Sequence, residues 1–446
     1  MGARIDHRLT IHKASKLLHS GTMSATQLLE QVLARIDQNG SAFTLVDADG
    51  ARLSALESDR LIAAGRARSP LEGLPVSSKD LFDVEGQITT AGSSALRGFA
   101  PANKDAPVIA ALRKAGAVIV GRTHMSEFAF TGLGDNPHLP RCGNPADESR
   151  VPGGSSSGAA VSVALGQCVA GLGTDTGGSV RIPASFCGLV GFKPTQSRIS
   201  REGAFVLSPT QDSIGSIANS VSCCALIDQI LTGTSPAGVS MLSLKGLRFA
   251  IPNDLVLDHL DQQVANCLDV SVQRIRDSGA SVSKVSFEHF GELPDLFSRG
   301  TIVNAEAFEN HSRLGLLARR DLYDPMVLAR IDSGGRMSRA DVQRLFEQRQ
   351  RMISLTAQIS CSYDALLLPT TPIVAPRFDA SMDPASFGRL NGLALRNTSL
   401  FNFLDRCAIS LPMQAGSGLP AGLMLVGEHL QDQRLLAVAH AVECSL

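Results

Sequence analysis

The chain has 446 residues, with 41 Lys and Arg against 42 Asp and Glu, and a formal net charge of −1. A balance this close to neutral gives no bulk electrostatic attraction to nucleic acid or an anionic membrane surface, and no run approaches the roughly 20 apolar residues of a spanning helix. Nine cysteines, an odd number, and an N-terminus of Arg4, Asp6, His7 and Arg8 without an apolar signal core lead us to expect a cytoplasmic protein with free thiols.

In chain order, Ala25 to Ile36 places Leu28, Leu29, Val32, Leu33 and Ile36 at helical spacing. Next comes an isolated lysine in an apolar setting, Gly73-Leu74-Pro75-Val76-Ser77-Ser78-Lys79-Asp80. Asp105 is the expected N-cap of a helix running through Leu112 to Ala115; Gly116 stops it, and Ala117–Val120 reads as a buried strand. Gly153-Gly154-Ser155-Ser156-Ser157-Gly158 leads into the small apolar run Ala159–Leu165, a buried helix by composition. A second glycine–serine cluster follows, Gly173-Thr174-Asp175-Thr176-Gly177-Gly178-Ser179. Leu247–Ile251 reads as a strand, Val264–Ile275 as a helix ended by Gly279, and Val282–Phe287 and Ala365–Leu368 as further strands. Asp432–Glu443 reads as a closing helix. This alternation predicts an α/β fold with a largely parallel or mixed sheet covered on both faces. The length exceeds one ordinary core, yet no linker, repeat or low-complexity segment divides it, so residues 1–446 are expected to form a single domain with its motif core at 73–194.

Two serines held in glycine-rich backbone plus one lysine are the parts of an acyl-transfer site that uses no histidine. A serine hydroxyl attacks only when a base takes its proton, and a lysine is a base only when neutral. That requires its pKa to fall from about 10.4 by roughly three units, through burial or nearby positive potential. The helix N-terminus expected at the first cluster would supply such potential; the plainer reading is that Ser155 or Ser156 caps that helix, and that Lys79 is a surface lysine at a strand end. Gly177 and Gly178 allow a sharp turn whose N–H groups converge on one point, a nest suited to an oxyanion with Ser179 as the attacker beside it. Phosphate binding is the rival use of a nest, but a P-loop needs Lys then Ser or Thr after its glycines, and here Val180-Arg181 follows Ser179. No C-x-x-C pair or H-E-x-x-H supports a zinc site. Cys142, four residues after His138, is read as inert, and Asp175 and Asp212 as structural acids.

With these motifs in place the chain resembles the amidase signature family of serine hydrolases. The resemblance runs from about Leu28 to the C-terminal helix and returns in Leu366–Pro372 and Gly418–Gly427. It implies one α/β/α domain around a mixed sheet of about eleven strands. Residue by residue it implies Ser179 as nucleophile, Ser155 as a serine on a cis peptide bond, Lys79 as base, and backbone amides of Thr176, Gly177, Gly178 and Ser179 as the oxyanion hole. It further implies hydrolysis of a small-molecule amide with no metal or organic cofactor. Phe130 and Thr131 are the candidates for contacting substrate; a core phenylalanine is the alternative for Phe130. Region 233–359 departs most from the family and is expected to face the substrate. Leu139-Pro140-Arg141-Cys142-Gly143 stands where the glutaminase chains of tRNA-dependent amidotransferases usually carry Gly-Pro-Thr ahead of Asn-Pro, and Ile182 stands where malonamidase-like relatives carry arginine. A free-standing amidase is therefore the expectation, with the glutaminase chain of a tRNA-dependent amidotransferase as the alternative and a non-catalytic scaffold as the remote one. A homodimer is left open.

Overall fold

The computed structural model describes residues 8–235, 238–379, 382–413, 416 and 418–446; Arg4, Asp6 and His7 lie outside them. The helix expected at Ala25 spans Ala25–Gln38 and starts in a reciprocal capping box between Ser24 and Gln27, which satisfies two of the donors a helix start leaves free. Its apolar stripe is buried.

Among the described residues the strands are β1 (Phe43–Val46), β2 (Pro75–Lys79), β3 (Val118–Thr123), β4 (Ala170–Asp175), β5 (Val190–Lys193), β6 (Ser213–Ala218), β7 (Arg248–Pro252), β8 (Ser281–Val285), β9 (Ala365–Pro369), β10 (Ala408–Met413) and β11 (Ala421–Val426). They form one 11-stranded sheet in the order β1-β3-β2-β4-β6-β5-β10-β11-β9-β7-β8. β3, β2 and β4 pair in parallel, as do β9, β7 and β8; the central pairs from β4 through β6, β5, β10 and β11 to β9 are antiparallel. Successive strand residues face opposite sides. Every residue of β2, β4, β6, β9 and β11 is buried, so the sheet is covered on both faces, as the alternation predicts.

Two glycines set how closely the motif helix sits on this sheet. The helix Ser157–Ala164 packs on β4, where a Cβ at Gly171 would stand 2.7 Å from the Ala159 carbonyl oxygen. One at Gly173 would stand 2.6 Å from Ser156 Oγ. These contacts let the first serine cluster approach the end of β4.

One expected cap is corrected. The helix after Asp105 spans Pro107–Lys114 and its cap position is Ala106, with no side-chain cap bond. Pro107 presets the first turn, and Asp105 instead accepts the Glu85 N–H at 2.9 Å and pairs with Arg113 at 3.2 Å. The helices at 262–277 and 432–443 and the strands at 248–252, 281–285 and 365–369 lie where the sequence puts them. Among the described residues of 233–360 the structure also has helices for which no apolar periodicity is read in the sequence, Leu293–Leu296, Ile302–Arg313, Pro325–Gly335 and Arg339–Ser360. Among the described residues no helix is long and apolar enough to cross a membrane.

Candidate active site

β2 is wholly buried and ends at Lys79, whose side chain is 0% exposed. The surface-lysine alternative is thereby excluded. Its Nζ donates to Ser155 Oγ at 2.7 Å and to Thr174 Oγ1 at 3.0 Å, and among the described residues it joins no ion pair. The neighbouring Asp80 is held by Arg122 Nε at 2.5 Å. Burial lowers the Lys79 pKa from 10.5 to about 7, with the carboxylates of Asp175 and Asp212 holding it up against that fall. A buried ammonium without a counter-ion sheds its proton rather than bear the desolvation cost.

Ser155 follows a cis peptide bond, Gly154–Ser155, and is fully buried. The Ser156 N–H donates to the Ser179 carbonyl at 3.1 Å, tying the two serine clusters together. Ser156 occupies the cap position of the helix Ser157–Ala164 but makes no side-chain cap bond; its hydroxyl donates to the Thr174 carbonyl at 3.3 Å instead. The capping reading thus fails for Ser156, and the N-terminus of this helix opens beside the buried lysine's partner, where its positive potential opposes protonation.

Beyond β4 the chain turns around Asp175. This carboxylate accepts N–H bonds from Gly178 at 2.9 Å and Val180 at 3.2 Å, pairs with Arg181 through Nε at 3.0 Å and Nη2 at 2.9 Å, and accepts from Asn402 Nδ2 at 2.9 Å. Both ion-pair partners are buried. Although burial pushes its pKa up, the Arg181 charge and hydrogen bonds outweigh that and leave it at about 2. Asp212 accepts from Thr176 Oγ1 at 2.6 Å and from the Leu207 and Ser208 amides. Both acids act on the turn's shape, as structural residues.

Among the described residues the N–H groups of Thr176, Gly177 and Ser179 have no protein acceptor. Gly178 differs from the sequence expectation: its N–H is turned onto Asp175. Its φ is +131°, and a Cβ there would stand 2.1 Å from Thr398 Oγ1, so only glycine fits.

Ser179, Thr176 and Gly177 open onto a cavity of about 340 Å³ that Phe130 and Thr131 also line. Lys79 and Ser155 lie behind this wall. Residues from 233–359, among them Leu255, Leu293, Phe297, Val303 and Arg330, also line the cavity, together with residues from 392–403. The Arg330 guanidinium stands 4.6 Å over the Phe130 ring. Two residues of the site have no signal of their own in the sequence. Thr174 is part of the glycine–serine motif, but only strand geometry shows it pointing at Lys79. Arg330 lies in the segment that departs most from the family. Cys142 is buried and its thiol is pushed up to about 12, which fits the inert reading.

Comparison with known proteins adds four observations. The Amidase family model matches residues 26–436. The A chain of the glutamyl-tRNA(Gln) amidotransferase of Anaeromyxobacter sp. (strain K) is 34% identical over 484 residues, covering 98% of this chain and 96% of its own. 2-Amino-5-chloromuconic acid deaminase of Comamonas testosteroni is 33% identical over 447 residues with the same coverage. Among solved structures, one described as the crystal structure of an amidase has a TM-score of 0.89 at 33% identity, covering 98% of this chain and 100% of that one.

Proposed function

The chain belongs to the amidase signature family, and on that premise we propose that it hydrolyses a small carboxylic amide through an acyl-enzyme on Ser179. The observation that carries the reading is the buried 2.7 Å contact between Lys79 Nζ and Ser155 Oγ. With Lys79 neutral, this contact carries the Ser155 proton to Nζ while Ser155 takes the proton of Ser179. The Ser179 Oγ then bonds to the amide carbon. The carbonyl electron pair moves to oxygen, where the free amides of Thr176, Gly177 and Ser179 stabilise it.

Collapse of this intermediate breaks the C–N bond, and the proton returns from Lys79 through Ser155 to the leaving nitrogen. Water, deprotonated by the same relay, releases the carboxylate and restores Ser179. Phe130 and Thr131 line the acyl side. The whole chain acts as one catalytic unit, with 73–194 supplying the chemistry and 233–359 the substrate wall.

Ammonia release from a panel of aliphatic, aromatic and dicarboxylic monoamides tests the reading. Turnover by the chain alone supports it, and loss of that turnover in Ser179→Ala is required. The 34% identity to the A chain of an amidotransferase favours a second reading, the glutaminase component of such a complex. That reading requires glutamine as the preferred amide and copurification with partner proteins.

A further inference from the structure

Thr398 reaches the catalytic turn from outside the sequence motifs. It lies in the helix Pro384–Phe403, is fully buried, and stands 221 residues beyond Gly177. Its Oγ1 donates to the Gly177 carbonyl at 2.6 Å. A threonine inside a helix ordinarily returns its hydroxyl to its own helix, and the Leu395 carbonyl is within reach at 3.1 Å. The hydroxyl carries one proton, and the shorter contact puts it on Gly177. Two further links hold this helix against the turn. Arg181 Nη2 donates to the Thr398 carbonyl at 3.1 Å, and Asn402 Nδ2 donates to the Asp175 carbonyl at 3.1 Å.

The Gly177 carbonyl and the Gly178 N–H belong to one peptide unit, whose planarity points them in opposite directions. Thr398 holds the carbonyl, and Asp175 holds the N–H at 2.9 Å, so the plane is fixed at both ends. The next peptide is fixed as well: the Ile182 N–H donates to the Gly178 carbonyl at 2.7 Å, which turns the Ser179 N–H the other way. The Gly177 and Ser179 amides, both without a protein acceptor among the described residues, therefore flank a clamped unit. Neither glycine has a Cβ to limit its rotation, so the aim of the flanking amides depends on the contacts that pin this unit.

Resting on the amide-hydrolase reading above, we infer that Thr398 is a positioning residue for the oxyanion site: its hydroxyl fixes the Gly177–Gly178 peptide and so aims the Gly177 and Ser179 amides at the substrate's carbonyl oxygen. Leu395 and Ser399 of the same helix line the cavity, whereas Thr398 does not. It acts through the turn rather than on the substrate. Preorganised donors of this kind stabilise charge that develops only in the transition state, so the hydroxyl is expected to affect the chemical step and not binding.

The test follows labelling of Ser179 by a fluorophosphonate, whose phosphoryl oxygen takes the oxyanion position. Ser179 Oγ bonds to phosphorus, fluoride leaves with the electron pair of the P–F bond, and the hydroxyl proton passes to Ser155 and Lys79. Thr398→Val keeps the side chain's shape and removes the hydroxyl. It should lower the limiting labelling rate by about 10–100-fold, the scale of a small misplacement of a positioned group, and change the half-saturating concentration by less than about three-fold. Thr398→Ser keeps the hydroxyl and should label within about three-fold of the wild type. The pH midpoint of labelling should not move in either variant, because the lysine relay is untouched. Thr398→Ala carries the same test if Thr398→Val does not fold. An unchanged rate without the hydroxyl, equal losses in Thr398→Val and Thr398→Ser, a change confined to the half-saturating concentration, or a displaced pH midpoint overturns the inference and leaves the amidase reading intact. Failure of Ser179 to label in the wild type would instead strike at the amidase reading.

Discussion

Lys79 Nζ lies 2.7 Å from Ser155 Oγ, with both side chains fully buried and no ion-pair partner for the lysine among the described residues. This relationship determines how the lysine titrates. Desolvation brings its pKa to about 7, and the proposed mechanism uses the neutral form. Activity should therefore rise with pH through about 7 and then level off. A rate profile that falls across this range would assign the base elsewhere.

Under the proposed mechanism the same contact joins Lys79 and Ser155 in one chain of proton transfer. Loss of a positioned proton-transfer group costs about 10²–10⁴-fold in rate. Lys79→Ala and Ser155→Ala should each lower kcat by about that factor, and the double variant should be little worse than either alone. Fully multiplicative losses would mean that the two residues act independently.

Stability offers a readout independent of turnover. A lysine with a lowered pKa binds fewer protons folded than unfolded between about 7 and 10.5, so its linkage term makes the wild type more stable as pH rises across that window. Below about pH 7 that contribution is unfavourable by roughly 4–5 kcal/mol. Lys79→Met should raise stability at or below neutral pH, and its advantage should shrink as pH rises toward 10.5. Denaturant unfolding at several pH values measures this, and a pH-independent gap between the two proteins would contradict the lowered pKa.

Asp175 organises the turn that carries Ser179. Asp175→Ala would leave Arg181 buried without its counter-ion and release the Gly178 and Val180 amides. A cost of about 3–5 kcal/mol is expected, together with loss of activity. Replacing both partners by apolar residues should recover part of the stability but not the activity, because the Gly178 N–H stays unbound. Thermal unfolding and turnover, measured together, distinguish these effects.

Much of this site is legible in the sequence because its parts are local. The glycine runs at 153–158 and 173–179 announce backbone that bends sharply, and the apolar setting of Lys79 allows burial, although a surface lysine is the plainer reading until the fold is seen. Their meeting is not local: β2 and β4 must pair side by side before Lys79 can reach Ser155 and Thr174. The cap falls at Ala106 rather than Asp105 because the Glu85 N–H and the Arg113 guanidinium take the Asp105 carboxylate while Pro107 starts the helix. The helices of 302–360 do carry signals, in the capping pairs Thr301 with Asn304 and Ser338 with Asp341. Their mixed polarity, however, blurs the apolar stripe. Arg330 carries no signal among its neighbours in sequence, since its place in the cavity shows only once Phe130, from a distant part of the chain, packs against it.

The central claim is that Ser179 forms the acyl-enzyme, and covalent trapping tests it most directly. The wild-type chain is treated with a fluorophosphonate, and the modified peptide is sequenced by mass spectrometry. One adduct per chain on Ser179, absent in Ser179→Ala and strongly slowed in Lys79→Ala, is the predicted result. An adduct on Ser155 or on a cysteine, or undiminished labelling of Ser179→Ala, would contradict the account.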